Sequence, residues 1–181
     1  MKLSVKTLIA LTLFLTSSSL FAHSDAFTPA FVDSLVTPYL TIQTALASDD
    51  LQAAQAGAKT FVEATKKAPE AEDAQAQAAA LRELAEKIAA AEDLKSAREA
   101  FFPLSTDLTS MVKHVGVSDK QPLYTAHCPM AFSGKGGDWI QSDKTIANPY
   151  YGSKMLRCGS VKSQLAGEKA PEEDDHSGHH H

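Results

Sequence analysis

Cysteine is scarce in this chain, with two residues in 181, Cys128 and Cys158. They are far apart, so no Cys-x-x-Cys redox pair exists and a thioredoxin-like reading loses its main support. Long apolar runs are missing as well. The longest, Leu8 to Leu15, is too short to span a bilayer. Basic residues are scattered with no accompanying aromatic stripe, which argues against a nucleic-acid partner. No Ser-His-Asp arrangement, no pocket-like pair of acids and no dinucleotide fingerprint can be extracted, so the chain reads as a non-enzyme. The Gly134-Lys135-Gly136-Gly137 run lacks the Walker spacing and the Ser or Thr that should follow it, which discards a phosphate loop.

What is present begins with an export pattern. Lys2 and Lys6 precede the apolar run, and Ser17 to Ala22 follows it, as in a secretory signal peptide over residues 1–22. Cleavage after Ala22 puts Leu20 at a position that favours small residues, so cleavage after Ala26 stays open. No membrane insertion is expected after cleavage, and the expected location is the periplasm. Cleavage after Ala22 would make His23 the N-terminal residue, whose amine and imidazole together can chelate Cu(II).

Residues 27–160 read as one unit, a bundle (27–116) followed by a distinct segment (122–160). Leu35, Tyr39, Ile42 and Leu46 are spaced by threes and fours, as on one helical face. Pro38 after Thr37 starts or kinks that helix. Ser48 and Asp49 are candidate caps for a second helix carrying Ala54, Ala58, Phe61 and Val62, which Pro69 ends. A third helix, about 71–91, has Leu81, Leu84 and Ile88 as its stripe, and its first half has little to bury. A fourth, about 93–115, carries Leu94, Ala97, Phe101, Leu104 and Leu108, contains Pro103 and stops at Gly116. The fold class is mainly α, an up-and-down antiparallel four-helix bundle with a loop-rich C-terminal segment packed on it. In that segment Leu123 to Ala126 reads as a short strand. Ser133–Gly137 and Asn148–Gly152 read as turns, with Phe132, Trp139, Ile140 and Ile146 as anchors. Residues 161–181, most plainly from Gly167 onward, read as a disordered acidic and His-containing tail.

The chemistry concentrates in the C-terminal segment. Each cysteine has a methionine close by: Cys128-Pro129-Met130 and Met155-Leu156-Arg157-Cys158. Thiolate and thioether sulfurs select Cu(I) and similar soft ions. If the first arm is extended, Cys128 and Met130 share a side; if the second is a helical turn, Met155 and Cys158 share a face. The four sulfurs could then hold Cu(I) or Ag(I). Two thiols in an oxidising compartment also form a disulfide by default. A Cys128–Cys158 bridge closes a loop of about 30 residues, worth roughly 3 to 4 kcal/mol. Both readings stay open at this level.

His127 and His114, the latter with Met111 one turn before it, are lesser candidate ligands. Their ordinary roles would be a histidine at a helix or strand surface and a core methionine. His176, His179, His180 and His181 could collect divalent ions loosely, or simply be solvated. Trp139, Tyr150 and Tyr151 could shield a metal from water or serve as packing anchors.

The run Leu123-Tyr124 through Cys128-Pro129-Met130-Ala131-Phe132, with Asp138-Trp139, Ile146-Ala147-Asn148-Pro149-Tyr150-Tyr151-Gly152 and Met155-Leu156-Arg157-Cys158-Gly159, resembles an uncharacterised bacterial domain. Tyr39-Leu40 and Ala45 to Asp50 are similar to it too, so the resemblance covers most of the mature chain. That domain occurs alone in exported proteins and at the C-terminus of periplasmic adaptor subunits of heavy-metal (copper/silver) RND efflux pumps. The resemblance implies a helical bundle and a role in periplasmic copper or silver handling and metal resistance, with efflux components as possible partners. Gly137 and Ile140 stand where alanine and leucine are expected. The barrel and hairpin parts of an adaptor are absent, so the chain is not read as an adaptor itself.

Overall fold

The computed structural model describes residues 23–167. The expected signal peptide (1–22) and His176, His179, His180 and His181 lie outside the described residues. The described residues open with four helices, α1 (Pro29–Ala47), α2 (Leu51–Thr65), α3 (Glu72–Ala89) and α4 (Leu94–Val115).

Local chemistry accounts for most of their ends. The Phe31 N–H donates to the Thr28 hydroxyl, with Pro29 in the first turn of α1, where a missing N–H costs nothing. Helix α1 therefore starts well before Pro38, which lies inside it. Asp50, rather than Ser48 or Asp49, caps α2 by accepting from the Ala53 N–H at 2.9 Å. Asp93 and Ser96 form a reciprocal capping box on α4. Gly116, with φ of 83°, ends that helix, and Pro103 is carried within it.

Each helix buries one stripe. Val32, Leu35, Tyr39, Ile42 and Leu46 of α1 meet Ala54, Ala58 and Phe61 of α2, and Phe101, Leu104 and Leu108 of α4, all fully buried. The first half of α3 also packs inward, contrary to its apolar-poor sequence: Ala74 and Ala78 are buried. Alanine contributes little area but permits close approach of neighbouring backbones. Successive helices pack on one another, and α4 returns against α1, closing a bundle. Among the described residues no helix is long and apolar enough to cross a membrane.

The C-terminal segment is not loop. It holds β1 (Leu123–Cys128), a one-turn element α5 (Ala131–Gly134), β2 (Gly137–Gln141), a single 3-10 turn (Gly152–Lys154) and β3 (Ser160–Ala166). The strands form an antiparallel sheet in the order β2-β1-β3. Strand β3 occupies residues that read as the start of the tail. Its polar residues, Ser160, Lys162, Ser163 and Gln164, are tolerated because this strand pairs only with β1 and stays largely exposed. Strand β1 includes the short strand expected at Leu123 to Ala126 and runs two residues further; nearly every side chain in it is buried, and register shifts interrupt its pairing with β3. The expected Ser133–Gly137 turn is present around Phe132 and Ser133, both at positive φ.

The sheet docks on α1 and α4 through β2. Trp139 and Ile140 are fully buried there. The Ile140 N–H donates to the Tyr39 hydroxyl at 3.0 Å, and that hydroxyl shares a 2.8 Å bond with Ser105 on α4. Gln43 donates to the Ala147 carbonyl at 2.6 Å. Arg98 donates to the carbonyls of Pro149 and Leu46 and to Asp49. The sheet thus hangs from the bundle by polar contacts as well as by the Trp139 face.

Candidate functional site: a thiol pair with two exposed methionines

Cys128 ends β1 and is fully buried. Cys158 follows a turn closed by its own N–H donating to the Met155 carbonyl at 2.9 Å. The turn is held by Asn148, itself fully buried. The Asn148 amide donates to the Cys158 carbonyl at 2.8 Å, its side-chain oxygen accepts from the N–H groups of Tyr150 and Tyr151, and its own N–H donates to the Leu156 carbonyl. Gly159, at φ 130°, lets the chain leave Cys158 directly along β1. A methyl there would lie 2.6 Å from the His127 carbonyl oxygen and 3.1 Å from the Trp139 ring.

The outcome is that the Sγ atoms of Cys128 and Cys158 lie 3.2 Å apart, both as free thiols. A covalent bridge would need about 2.05 Å. Two thiolates on one ion at about 2.3 Å each would sit roughly 3.8 Å apart for a tetrahedral angle. Either state is reached by a small side-chain adjustment. The Cys128 thiol, hydrogen-bonded to Cys158, together with partial burial pushes the Cys158 thiol up, so this sulfur holds its proton more firmly than a free cysteine. A metal must displace that proton.

The two methionines take a different position from the one their spacing predicts. Strand β1 stops at Cys128, and Pro129 and Met130 turn away from it, with Met130 in a helical conformation, so the shared-side argument for Cys128 and Met130 fails. Met155 does share a turn with Cys158. Both methionines face solvent: Met130 is 53% and Met155 37% exposed, the two exposed large hydrophobic side chains among the described residues. In the chain they stand two and three residues from Cys128 and Cys158.

Aromatic side chains wall the site. Tyr150 stands edge-on to Trp139 at 5.7 Å and to Phe132 at 5.1 Å, and its hydroxyl donates to the Asp138 carbonyl. The Tyr151 hydroxyl donates to the Met130 carbonyl at 2.6 Å.

The lesser candidates lie elsewhere. His127 bonds Asp138 through Nδ1 at 2.7 Å, across the β1–β2 pair and on the opposite side of the strand from Cys128. Met111 is a buried core residue and His114 is exposed on α4. Phe102 of α4 meets Tyr150, and His114 lies roughly 18 Å further along that helix, away from the thiols. Among the described residues no three His, Cys, Asp or Glu side chains converge as a metal-holding group. The thiol pair therefore stands without a third ligand of those types.

Two supports were not readable as such in the sequence. Asn148 sits in a turn-forming Asn-Pro pair, and nothing local shows that its amide will hold Cys158. Asp49, next to the capping Asp50, takes a left-handed φ of 59°. It accepts from the Ser153 N–H at 2.9 Å and from Arg98. Hydrogen bonds from Ser153 and then Arg98 pull its carboxyl down to about 2. This joins the turn before Met155 to the bundle.

Comparison with known proteins bears on the bundle rather than the thiols. No curated protein and no solved structure matches the chain. Residues 35–120 match the model of the family described as Protein of unknown function (DUF3347), so the helical part, from within α1 to just past α4, is similar to that uncharacterised domain while Cys128 and Cys158 lie beyond the match.

Proposed function

We propose that this is an exported, periplasmic soft-metal protein. It takes up Cu(I) or Ag(I) on the thiolates of Cys128 and Cys158, with Met130 and Met155 as thioether donors at the mouth, for sequestration or delivery in metal resistance. The observation that carries this reading is the placement of the exposed methionines. Every other large apolar side chain in the described chain is buried or half-buried, and the two left exposed are those within three residues of the paired cysteines. Thioethers in water gain nothing from exposure, whereas as soft donors they can pass an ion to stronger thiolates inside. No turnover is involved, only reversible ligation with release of thiol protons. The export pattern and the resemblance to efflux-associated domains support the compartment and point to efflux components as partners. The test is competition against a Cu(I) chromophoric chelator with reduced protein. Cys128→Ser combined with Cys158→Ser is expected to abolish stoichiometric binding, and unchanged affinity would reject these ligands.

A second reading has its own observation. Sulfurs 3.2 Å apart need only a small closure to form a disulfide, which would make the segment a stapled interaction domain on an envelope partner with no core metal. Thiol counting on protein taken from the periplasm without reductant separates the two. Oxidised cysteines that resist copper loading favour the stapled domain, and free thiols with bound copper favour the soft-metal reading.

A further inference from the structure

Far from the thiols, the start of the described chain is folded onto the bundle. Ser24 is buried. Its N–H donates to the Gln77 side-chain oxygen at 3.4 Å, and the Ala26 and Phe27 N–H groups donate to its hydroxyl and carbonyl at 3.2 Å each. Residues tied down this way belong to the folded unit rather than to a discarded leader. Of the two cleavage positions open in the sequence, this favours the one after Ala22, which leaves His23 first with a free α-amine.

His23 lies against α3 and α4. Its Nε2 is 2.9 Å from the Ser110 hydroxyl and its Nδ1 3.2 Å from Gln77 Oε1. The ring of His114, one turn beyond Ser110 on α4, has its centre 5.9 Å from that of His23, tilted by 43°. An ion about 2.05 Å from a ring nitrogen lies roughly 3.2 Å from that ring's centre, so two imidazoles on one ion have centres roughly 4.5 to 6.4 Å apart. The observed separation falls inside that range. His23, Gln77, Asp107, Ser110 and Met111 help line a groove of about 430 Å³ that begins at His23, so the His23 ring is reachable from solvent.

We infer that the mature chain carries a second metal site, in which the His23 amine and Nδ1 chelate one ion and the His114 imidazole supplies a third nitrogen. The amine and Nδ1 of one histidine close a six-membered ring on the metal. Nδ1 exchanges its long contact with Gln77 for the ion. Nε2 then carries the hydrogen and donates to Ser110, the outer bond that fixes ring orientation in metal-bound histidines. Three nitrogen donors are borderline rather than soft, and among divalent ions Cu(II) binds such a set most tightly. Asp107 lines the same groove as His23 and adds an anionic neighbour. The site differs from the thiol pair in place, donor type and oxidation state of the ion, and stands whether or not the thiols bind metal.

The test uses full-length protein exported and processed by the cell, its N-terminus read by mass spectrometry. Cys128 and Cys158 are changed to Ser and the four tail histidines to Ala, so that neither thiols nor tail compete. Cu(II) titration followed by electron paramagnetic resonance is expected to show one tightly bound ion with nitrogen hyperfine structure. His114→Ala, an exposed change, should weaken binding roughly tenfold or more. Placing one Gly before His23 should do the same, by moving the amine out of the chelate. An N-terminus at Phe27, or affinity and spectra unmoved by both changes, overturns the inference.

Discussion

The Tyr151 hydroxyl donates to the main-chain oxygen of Met130 at 2.6 Å, tying the two cysteine-bearing arms together without using either sulfur. The thiols therefore need not be bridged to stay adjacent. The proposed reversible ligation requires the two arms to stay paired without help from the ion, and this bond contributes to that. Asn148, gripping the Cys158 carbonyl, holds the second arm in the same way.

Tyr151→Phe removes that tie while leaving the ring. The Met130 carbonyl is exposed enough to find water, so the loss should be about 1 kcal/mol, read as a lower midpoint in urea unfolding of the reduced protein. Oxidised protein, if a bridge forms, should lose less, because the bridge then holds the arms. Equal losses in both states would show that the bond does not join the arms.

Replacing Met130 and Met155 together by Leu keeps size and apolarity at exposed positions, so stability should change by less than about 0.5 kcal/mol. Stoppered-cuvette or stopped-flow Cu(I) transfer from a donor complex should be slower, with stoichiometry retained through the thiols. Unchanged transfer would remove the methionines from the proposed route.

Cu(I) affinity should depend on pH in a definite direction. The Cys158 thiol is raised by its bond to Cys128 and by partial burial, so near neutrality the ion must displace its proton. Apparent affinity should climb by up to about tenfold per pH unit for each proton displaced, levelling off above the thiol's own value. Competition titrations at several pH values check this; a flat profile would mean the metal is held by other groups.

Asp49 offers a stability test. Its folded carboxyl, drawn down to about 2 by Ser153 and Arg98, lies below the value of an unfolded aspartate. Its contribution is therefore complete above about pH 4 and disappears as pH falls toward the folded value. Asp49→Asn should cost about 1 to 2 kcal/mol at neutral pH, with the gap from the parent protein closing between about pH 4 and pH 2. Unfolding midpoints measured across that interval decide it.

The helices were legible because their information is local. Gly116 stands where a helix must stop, and the spacing of Leu35, Tyr39, Ile42 and Leu46 marks the inward face before any partner is known. Of the sheet only β1 was legible, as the short strand Leu123 to Ala126. Strand β2 was read only as anchors, and β3 is polar and pairs by backbone hydrogen bonds that any side chain permits, so it does not show the period of a half-buried strand. Pro38 shows the boundary between the two cases: its chemistry predicts a disturbance in α1, and packing carries the helix through it.

At the sites the division follows the same physics. Residue type alone states which chemistry is available, two soft thiols with two thioethers, and an imidazole beside an expected cleavage point. Position in space does not follow from type. That Cys128 meets Cys158 depends on Asn148, Gly159 and the Trp139 face, contacts between stretches that share no local signal. That Met130 turns outward depends on β1 ending at Cys128, two residues too soon for the alternation rule. The pairing of His23 with His114 likewise arises only when the chain folds back on α4, because distances between remote residues are set by how the whole core closes.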